Sequence, residues 1–135
     1  MKPEPHTGFW HGRRKSFACA LRGIAVLLRT QVNARIHVLA TVLVVAAGFA
    51  LRIPRGEWVA LAFAIGMVWI AEALNTALES LADRISREHD ETIRRAKDVA
   101  AGAVLLAAIT AAFIGILVLG PHVWALLCDR SVPAK

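Results

Sequence analysis

Formal charge is absent from three stretches of the chain, and those stretches set its architecture. The first is Ile36 to Leu51, sixteen residues dominated by Val, Ala and Leu between Arg35 and Arg52. A bilayer core takes about 20 apolar residues, so the aliphatic stems of the two arginines complete the crossing while their guanidinium groups reach the interfaces. Pro54 and Gly56 in the following Arg52-Ile-Pro-Arg-Gly-Glu57 then signal a turn. The second stretch opens at Trp58, a residue suited to the interface, and runs for fourteen uncharged residues to Ala71 before it meets Glu72. The third is the longest, Val99 to Cys128, with Gly120-Pro121 predicting a helix end and Trp124 an interfacial anchor. The predicted crossings are 36–52, 58–83 with a cytoplasmic extension, and 94–120, followed by a tail over 121–135.

The first 35 residues follow a different pattern. Phe17, Leu21, Ile24 and Leu28 form one stripe at helical spacing, with Lys15, Arg22 and Arg29 on the opposite side. This predicts a helix over 13–34 that lies on the membrane surface, preceded by a flexible terminus over 1–12. Arg22 interrupts the apolar run that a signal peptide would need. Composition agrees with a lipid environment: 57% of the 135 residues are hydrophobic and only 19% charged, more apolar than a soluble chain of this length can bury. The fold class expected is therefore an all-α integral membrane protein, a surface helix plus three transmembrane helices.

Sixteen basic residues against ten acidic ones give a net charge of +6, and their distribution explains the excess. Lys2, Arg13, Arg14, Lys15, Arg22, Arg29 and Arg35 lie with the N-terminus, and Arg84, Arg87, Arg94, Arg95 and Lys97 lie between the second and third crossings. Only Arg52, Arg55, Arg130 and Lys135 fall on the other side. The positive-inside rule puts the N-terminus in the cytoplasm, and anionic lipid accounts for the remaining charge without nucleic acid as a partner. Cys19 and Cys128 fall on opposite faces and form no disulfide or zinc motif.

Candidate chemistry begins where the second crossing turns polar. At about 100° per residue, Asn75, Glu79 and Asp83 fall at roughly −60°, −20° and +20° from Glu72. The row rises about 16 Å along the helix, from the apolar stretch to the cytoplasmic loop. For Asp83 the plain alternative is a solvated helix end paired with Arg84 or Arg87. For Glu72 that alternative is much weaker, because fourteen uncharged residues precede it and Ala73-Leu74 follow it, and an ionisable group at membrane depth is costly and marks a functional site by default. A carboxylate there suits a general base acting on a hydroxyl that itself resides in lipid, with the Asn75 amide one turn away to orient it. Beyond the row, Ser86-Arg87-Glu88-His89-Asp90-Glu91 and Arg94-Arg95-Ala-Lys97-Asp98 mix carboxylates with cations, which fits a metal–nucleotide and equally fits a solvated loop. Neither a P-loop nor a Gly-x-Gly-x-x-Gly cradle occurs. Small residues on the third crossing (Ala100, Ala103, Ala107, Ala111) permit close helix contacts and predict a homo-oligomer with sites between subunits. A second reading, a small transporter with Glu72 as its coupling carboxylate, remains open, as does a membrane scaffold with no chemistry.

Glu72-Ala-Leu-Asn-Thr-Ala-Leu-Glu-Ser-Leu-Ala-Asp83 followed by Ala96-Lys-Asp-Val-Ala-Ala-Gly-Ala-Val104 resembles the signature of the prokaryotic diacylglycerol kinase family, which includes the undecaprenol kinases. The resemblance extends over Ser16 to Gly120 and takes in Arg22-Gly23, Asn33 and His37. It implies a homotrimer in a bacterial inner (plasma) membrane, an ATP- and Mg²⁺-dependent kinase that transfers the γ-phosphate to a lipid alcohol. By position it implies Glu72 as general base and Asn75 as its support. Glu79 would hold Mg²⁺, Glu88, His89, Lys97 and Asp98 would hold the nucleotide, and Asp83 would fix the loop. Two positions depart from the family. Gln31 stands where a metal-binding Glu is usual, keeping a carbonyl oxygen but losing a charge. Gly12 stands at a nucleotide-contacting Arg, which Arg13, or else Arg14, would replace by a small shift. Either departure would weaken activity. Arg29-Thr30-x-x-Asn33-x-x-Ile36-His37 and the Lys97 to Val104 segment lean towards the undecaprenol kinase branch.

Overall fold

The computed structural model describes the backbone of residues 9–85 and 90–129 and the side chains of 13–85 and 90–128. Within them every regular element is a helix: α1 Phe9–Thr30, α2 Val32–Ala50, α3 Arg55–Ile85 and α4 Glu91–Asp129. The last three are long and apolar enough to cross a membrane, and α1 keeps Phe17, Leu21 and Ile24 exposed as an outward apolar stripe.

The break between α1 and α2 falls at Gln31, in extended conformation, earlier than the expected boundary near Arg35; Asn33 and Arg35 belong to α2. No glycine or proline marks it. Instead the β-branched Thr30 and Val32 flank the break, and Arg35 folds back to cover the end of α1. Its Nε and terminal nitrogen donate to the carbonyls of Leu28 and Arg29 at 3.3 and 2.7 Å, placing a cation on the orphan carbonyls at a helix C-terminus.

α2 ends in a left-handed cap. The amides of Arg52 and Ile53 donate to the carbonyls of Phe49 and Gly48, each at 3.2 Å, and Arg52 takes φ 51°, the Schellman geometry. Ile53 is buried against Gly48, and Gly48 is required there, since a Cβ would lie 2.8 Å from the Trp58 ring. Trp58 also packs on Phe49 at 4.7 Å between centroids. This knot of side chains sets the angle at which α3 returns.

α3 is the spine of the bundle. Its inward face reads Leu61, Ala64, Val68, Glu72, Asn75, Thr76 and Ala82, with steps of three and four from Leu61 to Asn75 as an interior stripe demands. The polar row thus continues the apolar core stripe. α4 runs antiparallel beside α3, its first turn capped by Asp90, whose Oδ1 accepts from the Thr92 and Ile93 amides at 2.7 and 3.3 Å. The expected helix end at Gly120-Pro121 is corrected: α4 continues through Pro121 to Asp129. Pro121 forfeits a single amide donor, and His122 just beyond it is hydrogen-bonded to Glu57 of α3, Nε2 to Oε2 2.7 Å, which holds the segment against the bundle.

Candidate active site

Of the stripe on α3, Glu72 is 1% exposed, and Asn75 and Thr76 are also buried. Glu72, Asn75 and Glu79 open on a cavity of about 270 Å³ whose remaining wall is Asn33, Ile36 and His37 from α2 and Ala101, Val104, Leu105 and Ala108 from α4. Three helices therefore meet here, and small residues of α4 leave the room. Asn75 Nδ2 donates to Glu79 Oε1 at 3.2 Å, so the amide orients the outer carboxylate. His37 enters from the opposite wall with Nε2 4.0 Å from Glu72 Oε2.

Among the described residues, four buried side-chain atoms have no hydrogen-bond partner: His37 Nε2, Glu72 Oε2, Asn75 Oδ1 and Thr76 Oγ1. Such atoms are rare in a folded interior and call for a ligand or a chemical role; here three of them belong to residues that line this one cavity, from both of its sides. Transporter, scaffold and enzyme are not equal under this geometry, because the row rises from a buried carboxylate to the charged end of the bundle.

That charged end is tied together differently from expectation. Lys97, nearly two turns into α4, donates from Nζ to Asp83 Oδ1 at 3.0 Å, so Asp83 is tied across to α4; of the two arginines weighed as its partners, Arg87 lies outside the described residues. Asp98 accepts from Arg94 at 2.9 Å, and Arg94 and Arg95 also bind Glu91; the mixed charges form an exposed helical network at i,i+3 and i,i+4 spacing. Lys97 meets the row at Asp83 and Asp98 is held by Arg94; neither lines the cavity. Gln31 is half-buried at the start of α2 and is not part of the cavity wall; Arg13 is on an exposed turn of α1. Glu88 and His89 lie outside the described residues.

Among the described residues no group of three or more His, Cys, Asp and Glu side chains forms a metal cage. The donors present nevertheless fit Mg²⁺ bound chiefly through phosphates, which needs only one or two protein carboxylates: Glu79 stands at the outer part of the row and the unpartnered Asn75 Oδ1 beside it. Sequence reasoning gave His37 and Asn33 no role. Nothing local distinguishes a lone histidine on an apolar helix; the signal is tertiary, the need of buried Glu72 for a polar neighbour.

Residues 18–119 match the family described as prokaryotic diacylglycerol kinase. Relatives include an undecaprenol kinase of Bacillus subtilis, 38% identical over 79% of this chain and 87% of that protein. A diacylglycerol kinase of Synechocystis is 41% identical over 83% of this chain and 65% of its own length, so the chain spans just under two thirds of that relative. A diacylglycerol kinase of Pseudomonas aeruginosa is 31% identical over 87% of this chain and 98% of that protein. With the family matched across most of its length and three helices fit to cross a membrane, the chain belongs to the prokaryotic diacylglycerol kinases and is a membrane lipid kinase.

Proposed function

We propose that the protein transfers the γ-phosphate of ATP, with Mg²⁺, to the hydroxyl of a membrane lipid alcohol, undecaprenol in preference to diacylglycerol, to give the lipid monophosphate. The observation that carries this is the buried carboxylate of Glu72, its Oε2 unpartnered on a cavity wall from which the row leads out to Glu79 and the charged end. Glu72 takes the hydroxyl proton as the oxygen attacks the γ-phosphorus. The new oxygen–phosphorus bond forms as the bond to the β,γ-bridging oxygen breaks, and that electron pair leaves on ADP. Glu79 would hold Mg²⁺, which would supply the charge neutralisation that is the main requirement of phosphoryl transfer. Asn75 fixes Glu79. Lys97, with Asp98, Glu88, His89 and Arg13, steadies the nucleotide, and Lys97 exchanges Asp83 for a phosphate oxygen when it does so. Gln31 brings no charge, so metal binding leans on Glu79.

The assembly in this reading is a homotrimer in the inner membrane with a cytoplasmic N-terminus and sites between subunits. Its support is burial: 33% of the α3 span is buried within the chain, against 11% for α2 and 6% for α4, so two of the three spans have broad faces for lipid or neighbouring subunits. The test is transfer from labelled ATP by the purified protein in mixed micelles, with undecaprenol and diacylglycerol in parallel and Glu72→Gln as the blank. The expected result is Mg²⁺-dependent transfer, absent from the blank, with the higher kcat/KM for undecaprenol. No transfer to either lipid at any Mg²⁺ concentration by folded protein would overturn the proposal.

A further inference from the structure

His37 is held in place by a bracket between α2 and α3. Thr41 Oγ1 donates to the His37 carbonyl at 2.7 Å and accepts from Trp69 Nε1 at 3.2 Å, and the Trp69 ring meets the imidazole edge-on, 6.4 Å between centroids. So fixed, Nε2 stops 4.0 Å from Glu72 Oε2, and neither atom has another partner. That separation is too long for a hydrogen bond. The same molecule shows what a closed pair looks like: His122 and Glu57 lie 2.7 Å apart. An oxygen about 2.8 Å from both His37 Nε2 and Glu72 Oε2 would see them at an angle of about 90°, and a hydroxyl can accept from one while donating to the other.

His37 also marks a junction. Together with Ala108 it lines both the polar cavity and an apolar cavity of about 650 Å³ that continues between α2 and α4 past Thr41, Leu61 and Gly115. The hydroxyl end of a long-chain alcohol belongs at such a boundary, its chain in the apolar cavity.

We infer that His37 is a second contact for the acceptor: Nε2–H donates to the hydroxyl oxygen whose proton Glu72 removes, and the acceptor chain occupies the cavity between α2 and α4. His37 keeps its proton throughout, so the bonds made and broken are those of the transfer already described. Its contribution is to aim an oxygen lone pair at the γ-phosphorus and to favour an alcohol over a hydrocarbon.

The inference rests on the kinase reading for the identity of the acceptor, and binding separates the two. The probes are tritiated geranylgeraniol, with unlabelled geranylgeraniol or its deoxy hydrocarbon as competitor, on the full chain in lipid nanodiscs. In the wild type the alcohol should compete at least tenfold better than the hydrocarbon. His37→Leu should lower that preference by about tenfold, the scale of one hydrogen bond, whereas His37→Gln, whose amide nitrogen stands near the Nε2 position, should stay within about threefold of wild type. Phosphate transfer should follow the same order in kcat/KM for the alcohol, with KM for ATP unchanged. If His37→Leu fails to fold, His37→Asn takes its place: equally polar, its amide is too short to reach and should lose the preference that Gln keeps. Wild-type preference in the Leu or Asn variant, or equal loss in Gln and Asn, overturns the inference. Alcohol preference without phosphate transfer in the wild type overturns the kinase reading and leaves this one standing.

Discussion

At the turn between α2 and α3, polar groups are paired off: His122 meets Glu57 at 2.7 Å, the end of α2 is closed by two amide–carbonyl bonds, and Trp58 packs over Gly48 and against Phe49. About 22 Å along α3, at Glu72, the same residue types stand apart. His37 and Glu72 face each other across 4.0 Å, and four buried polar atoms among the described residues lack partners. Exposure sharpens the contrast, because Glu57 and His122 are each about one third exposed and could turn to water, while Glu72 is 1% exposed and cannot. Burying a polar group without a partner costs about 1–3 kcal/mol. One region is therefore built for stability, and the other keeps a standing cost that, in the proposed reading, a bound substrate would remove.

Glu72→Gln should divide the two regions most sharply. Loss of a general base costs about 10²–10⁴-fold in rate, so transfer should fall by about a thousandfold. The variant should melt no lower than wild type, since a neutral amide replaces a buried carboxyl. Retained activity with a fall in Tm would reverse the assignment of the two regions. Glu79→Gln comes next, with transfer reduced about a hundredfold and a higher Mg²⁺ requirement, read from Mg²⁺ titrations at saturating ATP. An unchanged Mg²⁺ dependence would remove Glu79 as the metal ligand and shift that role elsewhere in the row.

Glu57→Leu tests the opposite region and should behave in the opposite way. Breaking a partly exposed pair costs about 1 kcal/mol, a fall in Tm of a few degrees, with transfer within twofold of wild type. Loss of transfer at unchanged Tm would mean that the pairing at the turn reaches the cavity through α3, and the two regions would then be one.

How much of this division the chain reveals by itself depends on the range of the interaction. The three crossings were legible because the absence of charge is a local property, and the Glu72 to Asp83 row because helical spacing places it on one face. The family signature was legible in the same segment. Three features were not. The helix break at Gln31 carries no glycine or proline, and Arg35 secures it by reaching back to Leu28 and Arg29. Passage of α4 through Pro121 depends on a partner 65 residues away, Glu57. The facing of His37 to Glu72 joins two helices whose register no local pattern fixes. Lys97 with Asp83 is an intermediate case: both charges were visible, and only the antiparallel return of α4 brings them together.

The smallest effect expected is at Arg52. An L-residue in the left-handed region costs about 1–2 kcal/mol relative to right-handed backbone, and Arg52 sits there at φ 51°, at a position that glycine ordinarily fills. Arg52→Gly removes that strain but adds freedom to the unfolded chain, a cost of about 0.5–1 kcal/mol. The balance is a gain of about 0.5 kcal/mol, a rise of a degree or two in Tm for the full chain in one detergent, with transfer unchanged because the cavity is distant. The sign is informative, since Arg52 was also read as an interfacial anchor whose stem completes the first crossing. A fall of several degrees would show that the charge at the interface outweighs the backbone strain, and that this turn is held by the membrane as well as by its own hydrogen bonds.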